Sequence, residues 1–120
     1  MQSNPRVLSA TTLIGDDVKN AQGENLGKLE EIMLDVNTGK IAYAVLSFGG
    51  FLGLGDKLFA IPWQAFSLNA EEHSLVVNVN KSVLEKAPGF DKDKWPKTTS
   101  ADDKWLVQVY DYYGYSPYWR

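Results

Sequence analysis

Two apolar runs separated by a short glycine-rich segment constrain the fold of this chain more than any other feature of its sequence. Ile41–Phe48 and Leu58–Trp63 each have the length of a strand, and the first is rich in β-branched and aromatic residues. The segment between them has four glycines within seven residues, Gly49–Gly55. It also carries three large apolar side chains: Phe51, Leu52 and Leu54. The pattern predicts two strands joined by a loop that buries these side chains against something.

Further strands are predicted on both sides of this pair. Asp17–Lys19 is a short strand, and Asn20–Gly23 has the Asn and Gly expected of a turn. Leu26–Val36 is a longer strand whose apolar positions change parity between Leu29 and Ile32. One residue must therefore be absorbed, which predicts a β-bulge at Glu30-Glu31. The run from Ser74 to Asn80 alternates and predicts the last strand.

Side chains with carboxylate and amide oxygens alternate in the segment Asp35–Gly39, so it resembles a truncated calcium-binding loop. A bidentate Glu would have to follow at the twelfth loop position, and none does. The glycine at its end is typical of a hairpin turn. We therefore predict a structural turn that binds no metal. The strands around it predict a core of nine side chains: Leu26, Ile32, Leu34, Ile41, Tyr43, Val45, Ile61, Leu75 and Val77.

Three motifs together resemble the PRC-barrel family: Asp35–Ile41, then Gly49–Lys57, then Ala60–Trp63. The resemblance covers roughly residues 11–90. It implies a mainly β fold, a small PRC-type β-barrel of five or six antiparallel strands with short C-terminal helices and an aromatic tail. It also implies a docking module, since the family shares no catalytic residues. Known members include the cytoplasmic domain of a photosynthetic reaction-centre subunit and the C-terminal domain of a ribosome-maturation factor, and the stand-alone bacterial form is the most similar in layout.

Composition divides the 120-residue chain into one domain and two flanking segments. Residues 1–10 are expected to be a flexible N-terminus, 11–90 the barrel, and 91–120 a linker, a short helix and an aromatic tail. The net charge of −3 argues against nucleic acid as a partner. The absence of cysteine excludes disulfides and thiolate sites. No leader is recognised, which predicts a cytoplasmic protein, or a periplasmic one if a leader has been removed.

The C-terminal segment predicts a short helix that ends at Gly114 and is followed by an unusually aromatic tail. A strand is the alternative, because Trp105, Val107 and Val109 also alternate. Three fates are open for the aromatic side chains: packing on the same barrel, on a twin subunit, or on another protein. Those predicted to form an interaction surface together with the glycine-rich segment are Tyr112, Tyr113, Tyr115, Tyr118 and Trp119.

No recognised constellation for catalysis or cofactor binding is present. His73 is the only histidine, and the serines lie in no nucleophile-elbow motif. Gly50 and Gly55 have Walker A spacing, but Asp56 stands where the lysine must be and would repel phosphate. We therefore predict a protein that is not an enzyme and has no catalytic residues, cofactor or metal.

The expected function is a protein-interaction module that self-associates through its apolar glycine-rich loop, most simply as a homodimer, and docks to an unidentified protein. Self-association follows from the three loop side chains and the tail, which exceed what one small barrel hides. The alternative to self-association is a loop that plugs its own barrel, with the tail wrapped around the outside. The alternative functions are a ribosome- or RNA-processing-associated factor and an accessory protein that contacts the face of a membrane protein.

Overall fold

The computed structural model describes residues 7–48, 57–69, 74–97 and 104–120, as six strands and short helices. In chain order these elements are α1 (Ala10–Leu13), β1 (Asp17–Lys19), β2 (Asn25–Asp35), β3 (Lys40–Phe48), β4 (Lys57–Ile61), a 3-10 turn (Trp63–Ala65), β5 (Phe66–Asn69), β6 (Ser74–Val77), α2 (Lys81–Glu85) and α3 (Lys104–Tyr113). The mainly β prediction is confirmed, and every strand lies within the span expected of the PRC-type domain.

The six strands form one mixed sheet in the order β4-β3-β2-β1-β6-β5. Four neighbouring pairs are antiparallel, but β1 and β6 are parallel, with Val18 opposite Leu75. The expectation of antiparallel strands throughout is therefore wrong for this pair. Apolar alternation encodes which face of a strand is buried, and it carries no information about the direction of a distant neighbour.

The sheet curls strongly, although no ladder between described residues closes it into a barrel. β4 and β5 are its two edges, yet only the residues between Ile61 and Phe66 connect them. Flat strands about 4.8 Å apart would separate the two edges by roughly 24 Å. Five residues of extended chain reach only about 17 Å. The sheet must therefore bend until its edges approach each other.

The long strand β2 has two halves with different neighbours. Its first residues, Asn25–Lys28, pair with β1, and the strand gains β3 on its other side at Gly27 and Lys28. Beyond Leu29 the described partner is β3 alone, and the register shifts between Leu29 and Glu31. This shift confirms the predicted bulge at Glu30-Glu31. A second irregularity follows between Met33 and Leu34, where the sequence signals none.

Two clusters of buried side chains lie on opposite faces of the sheet. The inner cluster fills the concave side and consists of Val18, Leu26, Leu29, Ala44, Leu46, Phe48, Phe59, Ile61, Ala65, Leu75, Val77, Val79 and Leu84. The outer cluster joins the convex side to α3 and consists of Ala42, Tyr43, Val45, Leu58, Ala60, Leu106, Val109 and Tyr110. β3 contributes to both clusters, which is why its sequence is a continuous apolar run.

Six of the nine predicted core residues are buried: Leu26, Tyr43, Val45, Ile61, Leu75 and Val77. Tyr43 and Val45 nevertheless belong to the outer cluster, so they pack on α3 rather than filling the barrel. Ile32 and Ile41 are half-buried. Leu34 is 64% exposed, so its prediction as a core residue is wrong. It lies in the half of β2 that lacks a second described neighbour.

The predicted turns and helices are present. Gly23 donates to Asn20 across the first turn, at 3.0 Å. Gly39 ends the β2–β3 turn with a φ of +76°, a conformation that glycine adopts without strain. The helix predicted for the C-terminal segment is confirmed, because α3 runs to Tyr113 and stops before Gly114. Trp95, within the predicted linker, packs on Phe90 with ring centroids 5.2 Å apart.

Candidate functional site

An open apolar cavity of about 350 Å³ lies where the curled sheet remains unclosed. One wall comes from the second half of β2 and the start of β3, the opposite wall from β5 and the turn before it, and α1 forms the rim. The lining residues are Leu8, Ala10, Leu13, Ile32, Leu34, Ile41, Trp63, Phe66, Ser67, Leu68 and Leu75. We call this the seam cavity, because it occupies the seam between the two sides of the sheet.

The cavity exists because the chain before β1 leaves β2 at the bulge. Gly15 donates to the Leu29 carbonyl at 2.7 Å, and Leu29 donates to the Asp16 carbonyl at 3.0 Å. Upstream of these bonds the chain turns into α1 and no longer follows the strand. The residues of β2 beyond Leu29 therefore keep one edge without a ladder among the described residues. β5 presents the facing edge.

The walls of the seam cavity are exposed to different degrees. Leu34 is 64% exposed and Leu8 is 45% exposed, whereas Leu75 is buried in the floor. Trp63 and Phe66 stack with ring centroids 5.5 Å apart and an angle of 25° between their planes. Two packed rings form a stiff wall, since aromatic side chains have few rotatable bonds. The cavity thus combines a rigid side with an open mouth.

The lining determines the chemistry that the seam cavity can support. Ser67 supplies its one polar side chain, and all the other lining side chains are aliphatic or aromatic. Such a lining offers neither a nucleophile with a base nor a set of metal ligands. It suits apolar groups, which gain about 25 cal/mol for each Å² removed from water.

The C-terminal segment covers the opposite, convex face. Tyr110 of α3 is fully buried and its hydroxyl donates to the Ala42 carbonyl at 2.6 Å. Burial raises the pKa of Tyr110 to about 12, so the hydroxyl keeps its proton and remains a donor at ordinary pH. Trp119 folds back onto the Tyr110 ring with centroids 5.4 Å apart. Helix and tail together cover the outer cluster.

A hydrogen bond joins the tail to the far end of β2. The Tyr118 hydroxyl donates to Oδ2 of Asp35 at 2.6 Å. This bond is the largest cause that holds the pKa of Asp35 below its usual value, and the Asn37 amide adds to it. Burial raises the pKa of Tyr118, and the neighbouring carboxylate raises it further. The tail is therefore held next to the β2–β3 turn.

The eight predicted interaction residues fall into two groups. Phe51, Leu52 and Leu54 lie outside the described residues. The other five pack on their own chain: Tyr113 and Tyr115 against both clusters, Tyr118 and Trp119 against the outer cluster, and Tyr112 through its hydroxyl to the Val83 carbonyl at 2.7 Å. This geometry corresponds to the fate in which the tail packs on its own sheet. A role for these five in contacting a partner stays a prediction.

The sequence interpretation missed the seam cavity. Ile32, Leu34 and Ile41 were assigned to a closed core, and the apolar residues Leu8 and Leu13 were given no role. One signal for the cavity was present in the sequence, because the parity change at the bulge marks the point where β2 loses its second neighbour. Recognising the cavity also requires knowing that β5 stands opposite, which is a long-range property of the fold.

Two features are absent from the described residues. No group of three or more His, Cys, Asp or Glu side chains converges in a way that could hold a metal ion. None of the described helices has both the length and the apolar character that crossing a membrane requires.

Comparison with known proteins identifies one domain. The model of the PRC-barrel domain matches residues 5–84, which include all six strands and the seam cavity. No curated protein matches the chain. Among solved structures, the fold is similar to that of a putative 16S ribosomal RNA processing protein, RimM, from Pseudomonas aeruginosa, with a TM-score of 0.43 and 18% identity. The alignment covers 62% of this chain and 45% of that protein. The chain therefore spans less than half the length of this neighbour.

Proposed function

Because the chain belongs to the PRC-barrel family, we propose that it is a non-enzymatic docking module that receives an apolar protein segment in the seam cavity. The observation that carries the proposal is the exposure of Leu34 at the mouth of this cavity. Leucine is among the residue types that are most often fully buried. Here it stands in water beside a recess of about 350 Å³.

The two faces of the sheet support the choice of the seam cavity as the docking surface. The convex face is already covered by α3 and the tail, and the hydroxyl groups of Tyr110 and Tyr118 are bonded to the chain itself. The cavity has an aromatic wall and an aliphatic floor, which are the side chains that anchor protein partners in interfaces. The net charge of −3 favours a protein partner over nucleic acid.

A quantitative retention experiment tests the proposal. Immobilised protein is exposed to extract from the native host, and the proteins retained by the wild type are compared with those retained by the Leu34→Asp variant. We expect Leu34→Asp to lose a specific partner, because a buried carboxylate without a counter-charge is strongly unfavourable in an apolar site. Val36→Asp is the matched control. Val36 lies two residues after Leu34, immediately beyond the end of β2. It is 89% exposed, but it does not line the cavity.

Equal retention by the wild type, Leu34→Asp and Val36→Asp would overturn the proposal. A gel-shift assay at physiological salt gives a second, independent readout. We expect no binding to ribosomal RNA. Tight binding would contradict the proposed docking function and favour the ribosome-associated alternative.

A further inference from the structure

The second half of β2 presents a backbone edge, unpaired among the described residues, along the wall of the seam cavity. We infer that the partner binds there as an added β-strand, which pairs with this edge through its backbone and inserts alternate apolar side chains into the cavity. The inference rests on the proposed function, because it specifies how the apolar segment is held in the same cavity. In complexes of this kind, backbone pairing supplies affinity and pockets for alternate side chains supply specificity.

The hydrogen bond at the end of β2 shows which backbone groups face the open side. Gly39 donates to the Asp35 carbonyl at 2.8 Å, so Asp35 bonds toward the β2–β3 turn. Successive residues of a paired strand direct their N–H and C=O groups to opposite sides. Leu34 and Ile32 therefore direct theirs away from β3, whereas Met33 between them bonds toward β3. Within the described ranges no strand meets the outward groups.

The amide of Ile32 supports this direction independently. Its N–H donates to Oε1 of Glu31, the side chain before it, at 3.1 Å. This bond lies on the open side, because β3 occupies the other side of the strand. The carboxylate oxygen thus stands where a carbonyl oxygen of an added strand would accept the same proton. An incoming strand displaces it without leaving the amide unpaired.

The side chains of the edge direct the same partner into the cavity. Ile32 and Leu34 are two residues apart, so their side chains lie on one face of the strand, and both line the seam cavity. In a strand paired with them, the residues opposite these two point to that same face. An apolar cavity of about 150 Å³ holds one benzene molecule. The seam cavity of about 350 Å³ therefore accommodates two alternate apolar side chains of the partner.

The charges at the start of the edge define the remaining chemistry of the partner. Glu30 and Glu31 are both exposed, and neither forms an ion pair with a cation of the described residues. When the added strand takes over the Ile32 amide, the Glu31 carboxylate needs a new partner. A Lys or Arg opposite Glu31 supplies one, since opposite charges stabilise cross-strand pairs. An antiparallel occupant then has the pattern apolar, any residue, apolar, basic, starting opposite Leu34.

Amide exchange followed by NMR tests whether the edge is open in the free protein. We expect the amides of Ile32 and Leu34 to exchange at least about tenfold faster than the Met33 amide. Met33 is the matched control, because it lies between them on the same strand and bonds to β3. Slow exchange at all three positions would mean that another segment already covers the edge, and it would overturn the inference.

Selection from a random heptapeptide library displayed on phage tests the chemistry of the occupant. We expect the enriched peptides to share the pattern given above and to bind Leu34→Asp about tenfold more weakly. Glu31→Lys should replace the basic residue of the pattern with Asp or Glu. Glu85→Lys is the matched control, because Glu85 is an exposed acid of α2 that does not line the cavity. No enrichment, or the same pattern selected by Glu31→Lys, would overturn the inference.

Backbone methylation of a selected peptide separates strand addition from other ways of filling the cavity. In an added strand, alternate N–H groups donate to β2 and the groups between them face away. We expect N-methyl groups at one set of alternate positions to weaken binding by about tenfold, and N-methyl groups at the other set to change it little. Equal effects at both sets would contradict the added strand.

These outcomes separate the inference from the proposed function. Peptides that depend on Leu34 but tolerate methylation at every position would remove the added strand and leave the docking module standing. Peptides that protect the Ile32 and Leu34 amides, together with equal retention of host proteins by the wild type and Leu34→Asp, would confirm the added strand and overturn the proposed docking of a host partner.

Discussion

The two halves of β2 belong to one strand but end in opposite environments. At Gly27 and Lys28 the strand has a neighbour on each side, and the nearby Leu26 reaches the inner cluster with no exposure to solvent. After the bulge the strand keeps β3 as its described neighbour, and Leu34 stands 64% exposed at the mouth of a cavity. Both halves carry aliphatic residues of the kind found in a core strand, Leu26 and Leu29 in the first half and Ile32 and Leu34 in the second.

The difference shows that burial in this sheet is decided by the number of neighbours and not by the apolar pattern alone. The closed half is used for stability, because both of its edges and its inner face are occupied. The open half retains an apolar face and an edge that pairs with no strand among the described residues, which are the properties of a recognition surface. On the other face, the tail covers the outer cluster and is hydrogen-bonded to the end of the open half at Asp35.

The largest test of this comparison uses one glycine in the closed half and one in the turn that follows the open half. Gly27 has a φ of +123°, and a Cβ added there would lie 2.1 Å from the Ser47 carbonyl oxygen of β3. Gly27→Ala should therefore cost more than about 4 kcal/mol, a large part of the stability of a domain of this size. Gly39→Ala, at the turn beyond the open half, should cost only about 1–2 kcal/mol, because nothing lies near the added carbon and the cost is that of the positive φ. Urea unfolding followed by circular dichroism measures both, and a stable Gly27→Ala variant would contradict the close packing of the closed half.

A leucine in each half gives the next largest contrast. Leu29→Ala should lower the free energy of unfolding by about 2–5 kcal/mol, because the side chain is 1% exposed in the inner cluster. Leu34→Ala should lower it by about 0.5 kcal/mol or less, as expected of an exposed position. The two variants make the same chemical change on the same strand, so denaturant unfolding at one fixed protein concentration compares them directly. Similar costs would mean that both halves are core.

The smallest expected effect concerns the tether between the tail and the open half. Tyr118→Phe removes the hydrogen bond that is the main cause of the lowered pKa of Asp35. A lowered folded-state pKa stabilises the protein above the unfolded value, near 3.8, and this stabilisation is lost as the pH falls through the folded value. We therefore expect Tyr118→Phe to be less stable than the wild type at neutral pH, and the difference to vanish in acid. The pKa of Asp35, followed by NMR, should rise toward 3.8 in the variant.

Tyr112→Phe is the control for this prediction. Its hydroxyl donates to a backbone carbonyl, at Val83, rather than to a carboxylate. Removing that hydroxyl should lower stability by an amount that does not change between neutral and acidic pH. A pH-independent effect of Tyr118→Phe would contradict the role assigned to the Asp35 bond.

Much of the local structure could be predicted from the sequence because its causes are local. The parity change between Leu29 and Ile32 requires one extra residue wherever the strand pairs, so the bulge appears where it was expected. The turn at Gly39 follows from a residue that tolerates positive φ, and α3 stops at the glycine that marks its end. The match to the PRC-barrel domain has the same basis, because its motifs are short runs around these turns.

The tertiary structure alone decided what those elements meet. The apolar alternation around Val18 and Leu75 does not predict that their strands run parallel. The apolar run around Tyr43 and Val45 does not predict that a C-terminal helix covers it. Leu34 has the residue type and spacing of a core position, yet no strand arrives on its free side among the described residues. The reason is physical: backbone and periodicity preferences act over a few residues, whereas burial depends on contacts between segments far apart in the chain. The sequence by itself determined the strands, and the way the sheet curls decided which of its apolar faces stayed open to a partner.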